Sequence, residues 1–220
     1  MIPDAYFARF VTKKYKSENP VQRALIRRFV AALHDLFIES GPVASVLEVG
    51  LGEGFISGYL SEQFPSIRFT GVELAAADVA RVRRFFPRIE VHQGSAYDLS
   101  ALSGGYDLVI CAEVLEHLDT PLRALDEMCR LSPRRLLLSV PHEPFFMLSN
   151  LARLKNVSRF GNDPEHVNHW GRRSFRRLLE TRARVLRVTT SYPWVLALAA
   201  PVTSPPTRPT PKPPAQPARR

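Results

Sequence analysis

The chain has 220 residues, 45% hydrophobic and 23% charged, the balance of a globular protein with material for one sizeable core but not comfortably two. Its longest uncharged apolar stretch near the C-terminus, residues 194–202, falls far short of the roughly 20 residues that cross a bilayer, and the start MIPDAYFARF has no apolar signal core, so a cytoplasmic protein is expected. The formal charge is +9, but Arg208, Lys212, Arg219 and Arg220 supply four of those charges and leave a moderately basic body at +5; this permits nucleic acid, phosphorylated substrates or anionic lipid without distinguishing them.

Residues 1–42 read as an N-terminal helical segment packed on the core. Asn19-Pro20 has the form of an N-cap followed by proline at the first helical position, and Val21, Leu25, Phe29, Leu33 and Phe37 then repeat at helical spacing until Gly41-Pro42. Strand-like segments follow at 45–50, 68–73, 89–94, 106–113, 135–141 and 185–192, with helical stretches at 55–63, 76–85, 115–131 and 171–181 between them. This alternation predicts an α/β fold over 43–200: a Rossmann-like, doubly wound, mostly parallel sheet of six or seven strands with helices on both faces. The two cysteines, Cys111 and Cys129, fall in a strand and a helix without CxxC spacing and read as reduced packing residues. Residues 201–220 hold eight of the nineteen prolines and no apolar side chain larger than valine to anchor a core, so a disordered, basic, Pro-rich tail is expected.

The first strand, SVLEVG, opens into GLGEGF, placing Gly50, Gly52 and Gly54 where strand becomes loop and helix. Glycine at such a turn lets the backbone bend sharply and approach a ligand closely. Nineteen residues beyond Gly54 the second strand ends in Glu73, an acid placed to accept hydrogen bonds from both hydroxyls of a ribose. A dinucleotide fingerprint would carry a small residue at position 55 instead of Phe55, which disfavours nicotinamide.

The string EVGLGEG at 48–54, followed by Glu73, GSAYDL at 94–99 and YDLVICAEVLEHL at 106–118, resembles the successive motifs of class I S-adenosylmethionine-dependent methyltransferases over roughly residues 43–194. The resemblance implies S-adenosylmethionine as cofactor. It places Gly50 and Gly52 under the methionine part, Glu48 near its amino group, Glu73 on the ribose, and Ser95 with the Ala96 amide near the adenine, where many members carry Asp. The family's seventh strand usually pairs with the sixth, yet only PWVLALAA remains after Tyr192, so a short or missing last strand is expected. The N-terminal string KYKSENPVQR is similar to the start of some bacterial members, with no chemical role attached to it.

A sulfonium methyl is already activated, so the protein's main task is to position the acceptor and exclude water. Residues at the carboxyl ends of strands four and five should face it: Glu113, Glu116, His117, Pro141, His142 and Glu143, beneath an insert at about 144–170. His117 and Glu116 are candidates to orient a hydroxyl or take its proton, with Glu113 beside them. Equally, Glu113 and Glu116 could favour a helix N-terminus while His117 packs under the insert. His166 and His169 contact substrate or, with Trp170, latch the insert to the sheet. The expected function is methyl transfer to a small or lipid-linked metabolite, without metal. Glu113, Glu116, His117 and a downstream histidine also resemble the metal-binding pattern of methyltransferases that modify the terminal ribose of small RNAs, which keeps a metal-dependent RNA 2′-O-methyltransferase as the alternative. A non-catalytic, cofactor-binding partner subunit is the reading from another class.

Overall fold

The computed structural model describes residues 2–152, 154 and 156–202. Of the tail expected from residue 201, Pro201 instead closes the last strand and the Val202 amide donates to the Arg182 carbonyl at 3.1 Å, while residues 203–220 lie outside the described residues. The strands are β1 (Ser45–Val49), β2 (Arg68–Glu73), β3 (Ile89–Gln93), β4 (Leu108–Ala112), β5 (Arg135–Pro141), β6 (Ala183–Ser191) and β7 (Trp194–Pro201). They form one sheet in the order β3-β2-β1-β4-β5-β7-β6. The first five strands are mutually parallel, and β7 runs antiparallel between β5 and β6.

Three short or long helices precede the sheet: α1 (Asp4–Phe7), α2 (Lys13–Lys16) and α3 (Pro20–Glu39). The Asn19 side chain accepts hydrogen bonds from the Val21 and Gln22 amides at 2.9 and 3.2 Å, with Pro20 at the first position, as the sequence predicts. The buried face of α3 is Ile26, Phe29, Val30, Leu33, Leu36 and Phe37, while Val21 is exposed. The crossover helices are α4 (Phe55–Gln63), α5 (Ala76–Phe85), α6 (Pro121–Leu131) and α8 (Arg172–Glu180), and α7 (Phe145–Ala152) lies in the insert.

Two apolar clusters cover the two faces of the sheet. On one, Leu33, Leu60 and Val82 pack with Val46, Ile110 and Leu196; on the other, Leu125, Met128, Phe175 and Leu179 pack with Leu47, Val109 and Val195. Adjacent residues of one strand thus enter opposite cores, which is the period-2 geometry of a strand buried on both sides.

Two expectations are corrected. The last strand is neither short nor missing: β7 has eight residues, and its continuous apolar run reflects burial from both faces between β5 and β6. The stretch 115–131 is not one helix. A 3-10 turn, Leu115–His117, is separated from α6 because Pro121 fixes its own φ and disfavours helical geometry at Thr120, which is found at φ −126°, ψ 69°. Glu113 and Glu116 therefore do not stand in the first turn of α6.

Candidate functional site

Strand order reverses between β1 and β4, so a crevice opens at their carboxyl ends. The loop leaving β1 holds Gly50, Gly52 and Gly54 in the left-handed region at φ 74°, 55° and 83°. These glycines differ in what surrounds them. A Cβ on Gly50 would lie 2.2 Å from Val114 Cγ2, and one on Gly54 would lie 3.1 Å from Phe86 and Val82. A Cβ on Gly52 would meet nothing within 4 Å. Packing requires the outer two, whereas the middle one borders open space of the kind a cofactor needs.

Glu73 faces this loop from the end of β2. Its Oε2 accepts the Gly52 amide at 2.8 Å and its Oε1 accepts the Ala75 amide at 2.8 Å, so each oxygen keeps a lone pair. Glu48 is 2% exposed and accepts the Ser57 amide at 2.9 Å, serving the first turn of α4 where the cap residue, Gly54, has no side chain. Burial pushes its carboxyl up to about 7, although the hydrogen bonds from Ser57 act in the opposite direction. Ser95, just after β3, bridges Asp98 and accepts the Tyr97 amide at 3.2 Å, with the half-buried Ala96 between them. The donors and acceptors suited to a nucleoside therefore stand along one sheet end.

The N-terminal segment is part of this site, which the sequence did not disclose beyond the unexplained KYKSENPVQR string. Val11 and Thr12 donate their amides to the carboxylate of Glu53, inside the glycine loop, at 3.0 and 3.1 Å. The Tyr15 ring lies flat on Phe55 with centroids 3.9 Å apart. Lys14 Nζ donates to both oxygens of Glu113 at 2.7 and 2.6 Å. Burial opposes the Lys14 charge, but the Glu113 carboxylate outweighs it and pushes the ammonium pKa up. Glu113 itself sits at φ 57°. These partners are 99 residues apart, so local sequence pattern carries no signal of the pair.

Beyond the end of β4 the structure brings together Glu116, His117 and His166. Their ligand atoms all lie within 4.8 Å of one another. Glu116 is 1% exposed, and neither carboxylate oxygen has a hydrogen-bond partner. Burial, reinforced by the Glu113 charge, pushes its pKa well above the carboxylate range. His117 Nδ1 lies 2.9 Å from the Glu165 carbonyl, and its ring centroid is 4.9 Å from that of His166. Burial, then the His117 charge, lowers the His166 pKa to about 4, so His166 is neutral at pH 7. The insert is clamped over the cluster: Val167 and Asn168 donate their amides to the Glu116 carbonyl at 2.9 and 3.0 Å, and Asn168 Nδ2 reaches the Leu118 carbonyl at 2.6 Å.

The other expected residues are placed differently. Glu113 is engaged by Lys14 instead of the cluster, and His169 pairs within the insert with Asn162 at 2.7 Å. His142 forms a bridge with Trp170 and holds its ring 4.9 Å from that of Phe145; burial and then the Arg172 charge lower its pKa. His142 thus lies on a partly apolar edge formed with Phe145 and Trp170.

A doubly wound sheet with an open glycine at the first turn and an acid ending β2 has the form of a class I methyltransferase domain. Residues 21–182 match the family described as "Methyltransferase domain", and the chain belongs to it. A probable S-adenosylmethionine-dependent methyltransferase of Mycolicibacterium smegmatis is 33% identical over 73 residues, covering 33% of this chain and 28% of that protein. An uncharacterized Synechococcus protein is 33% identical over 99 residues, 42% of this chain and 24% of that one. The matches span only about a quarter of the length of these curated relatives. Among solved structures, magnesium protoporphyrin IX methyltransferase from Synechocystis with bound SAH superposes with TM-score 0.65 at 18% identity, covering 84% of this chain and 89% of that one. The methyltransferase domain of a bacterial Hen1 protein superposes with TM-score 0.60 at 20% identity, covering 80% and 99%. These two likenesses show the fold alone. Among the described residues, no helix is long and apolar enough to cross a membrane.

Proposed function

We propose that this domain transfers the methyl group of S-adenosylmethionine to a nucleophile on a small or lipid-linked metabolite, at the Glu116, His117 and His166 cluster. The observation that carries the reading is the clamped insert, which roofs this cluster, together with the partly apolar edge formed by His142 and Phe145. Such a roof suits a compact, partly apolar acceptor better than a nucleic-acid duplex. The open space over Gly52, the free lone pairs of Glu73 and the Ser95 turn fit a nucleoside cofactor.

When bound, S-adenosylmethionine supplies a methyl group already activated by the sulfonium charge. Glu73 holds the ribose hydroxyls, and Gly52 leaves room for the chain beside it. His117, its Nδ1 held by the Glu165 carbonyl and its ring against that of His166, offers its other ring nitrogen to take the acceptor's proton. Asn168 and the Val167 amide keep the insert closed over the reacting atoms, which excludes water. An acceptor cluster of this kind also favours catalysis over a purely cofactor-binding subunit.

One observation favours a second reading. Two orphaned, buried carboxylate oxygens with two imidazoles within 4.8 Å are a ligand set that a divalent cation would satisfy. Such a cation would bind vicinal hydroxyls and acidify the attacking one, placing RNA ribose at the head of the acceptor list. Transfer of labelled methyl to a cell extract, separated into metabolites, lipids, RNA and protein, tests both. Label in the metabolite or lipid fraction, undiminished by EDTA, is the expected result; label in RNA that disappears with EDTA and returns with Mn²⁺ would replace it with the second reading.

A further inference from the structure

The insert leaves large apolar side chains outside. On α7, Asn150 is buried and donates to the Gly161 carbonyl at 2.8 Å, and Phe146 turns toward His166 at 5.2 Å between ring centroids. Phe145 and Leu148, one turn apart, point away and are 44% and 54% exposed. Beyond the helix, Leu154, Val157 and Phe160 are exposed at 84%, 54% and 77%. Isolated exposed apolar residues need no explanation, but five from one insert do. The Phe145 ring also meets that of Tyr192 edge-on at 6.4 Å between centroids, extending the apolar surface to the β6–β7 turn.

Charge decides what this surface meets. The segment 145–160, FFMLSNLARLKNVSRF, contains three cationic residues and no acid. Arg159 within it, and Arg172 and Arg173 opening α8, are exposed, and none of the three has an ion pair among the described residues. Arg172, Arg173, Arg176 and Arg187 line one shallow depression with Val185, Leu186 and Val188. A protein partner that buried the apolar side chains would have to supply acids for these arginines. An anionic bilayer supplies both an acyl interior and phosphate at its surface.

We propose that the outer face of the insert, with the arginines that open α8, seats this domain on the surface of an anionic lipid bilayer. Phe145, Leu148 and Phe160 enter the boundary between headgroups and acyl chains, while Arg159, Arg172 and Arg173 meet phosphates. His142, in ring contact with Phe145, then faces the headgroup layer. The proposal stands on the insert and the start of α8, and its test reads binding without methyl transfer, so it succeeds or fails independently of the acceptor's identity.

The experiment is co-sedimentation of the full chain with vesicles of phosphatidylcholine alone or with about 30 mol % phosphatidylglycerol, a range in which each basic residue near the surface contributes measurably. The full chain should bind the anionic vesicles about tenfold more strongly and lose most of that preference in high salt. The L148E/F160E variant should weaken anionic-vesicle binding by about tenfold or more, and unchanged cofactor affinity in that variant would verify its fold. In the unaltered chain, hydrogen exchange over 145–160 should slow when anionic vesicles are added, which serves if the variant does not fold. Equal binding to both vesicles, or undiminished binding by L148E/F160E through the basic tail, would overturn the proposal. So would concentration-dependent dimerisation, abolished by the same variant, in a chain that does not bind vesicles.

Discussion

Replacing Glu73 by alanine removes one carboxylate that serves two purposes. Each of its oxygens accepts one backbone amide at 2.8 Å, from Gly52 and Ala75, and retains a lone pair toward the crevice. If those lone pairs take the two ribose hydroxyls, alanine deletes two hydrogen bonds to a charged acceptor, each contributing about 1.5 kcal/mol, or about 3 kcal/mol together. That corresponds to a loss of roughly 150-fold in affinity for S-adenosylmethionine and its demethylated product. Glu73→Gln keeps one acceptor oxygen and should lose about tenfold. Titration calorimetry on both variants, with thermal melting to confirm the fold, reads the effect. Glu73→Ala binding within about twofold of the natural chain, with the fold intact, would refute the assignment of the ribose to Glu73.

Gly52→Ala should leave a folded protein with weakened cofactor binding, because its Cβ meets nothing within 4 Å but occupies the crevice, whereas Gly50→Ala should lower the melting temperature sharply through the 2.2 Å approach to Val114; melting curves paired with calorimetry separate the two. Burial holds the Glu48 carboxyl at about 7 against 4.5 for an unperturbed group. The folded state thus retains a proton that the unfolded chain loses between those values, so this contribution to stability is full below 4.5 and is lost as pH rises through about 7, up to about 3 kcal/mol. Glu48→Gln, neutral at every pH, should match the natural chain in denaturant unfolding near pH 4.5 and exceed it at pH 8; a difference that does not change with pH would contradict the shift. Truncation of the tail should stop after Val202, because Pro201 pairs with Ala183 in the sheet. Removal of residues 203–220 should leave the melting temperature and cofactor affinity nearly unchanged, whereas a large loss would show that the tail docks.

How much of this was legible in the sequence varies with the range of the interaction. The bounds of β2, β5, α4 and α5 follow from local pattern, since apolar periodicity and glycine or proline punctuation act within a few residues. The positions of Gly52 in the loop after β1 and of Glu73 at the end of β2 were legible for the same reason: a βα turn and the end of the next strand lie close in sequence, and their spacing is imposed by one crossover. The strand β7 was missed because an apolar run of eight residues beside a proline-rich segment is compatible with several local structures, and pairing with both β5 and β6 settles its state.

The sequence by itself determined the alternation of strands and helices, the glycine turn and the acids around it, because backbone sterics and side-chain periodicity are local. Only the tertiary structure decided which acids remain free. Glu113 and Glu116 stand three residues apart and look alike in sequence, yet Lys14, 99 residues away, engages Glu113, while Glu116 is buried without a partner beside His117 and His166. Likewise His166 and His169 are separated by two residues, and the clamp of Val167 and Asn168 on Glu116 turns the first into the cluster and leaves the second with Asn162. The free energy of a charged or polar group depends on its burial and on the partner opposite it, and both are supplied by distant segments that only the folded chain brings together.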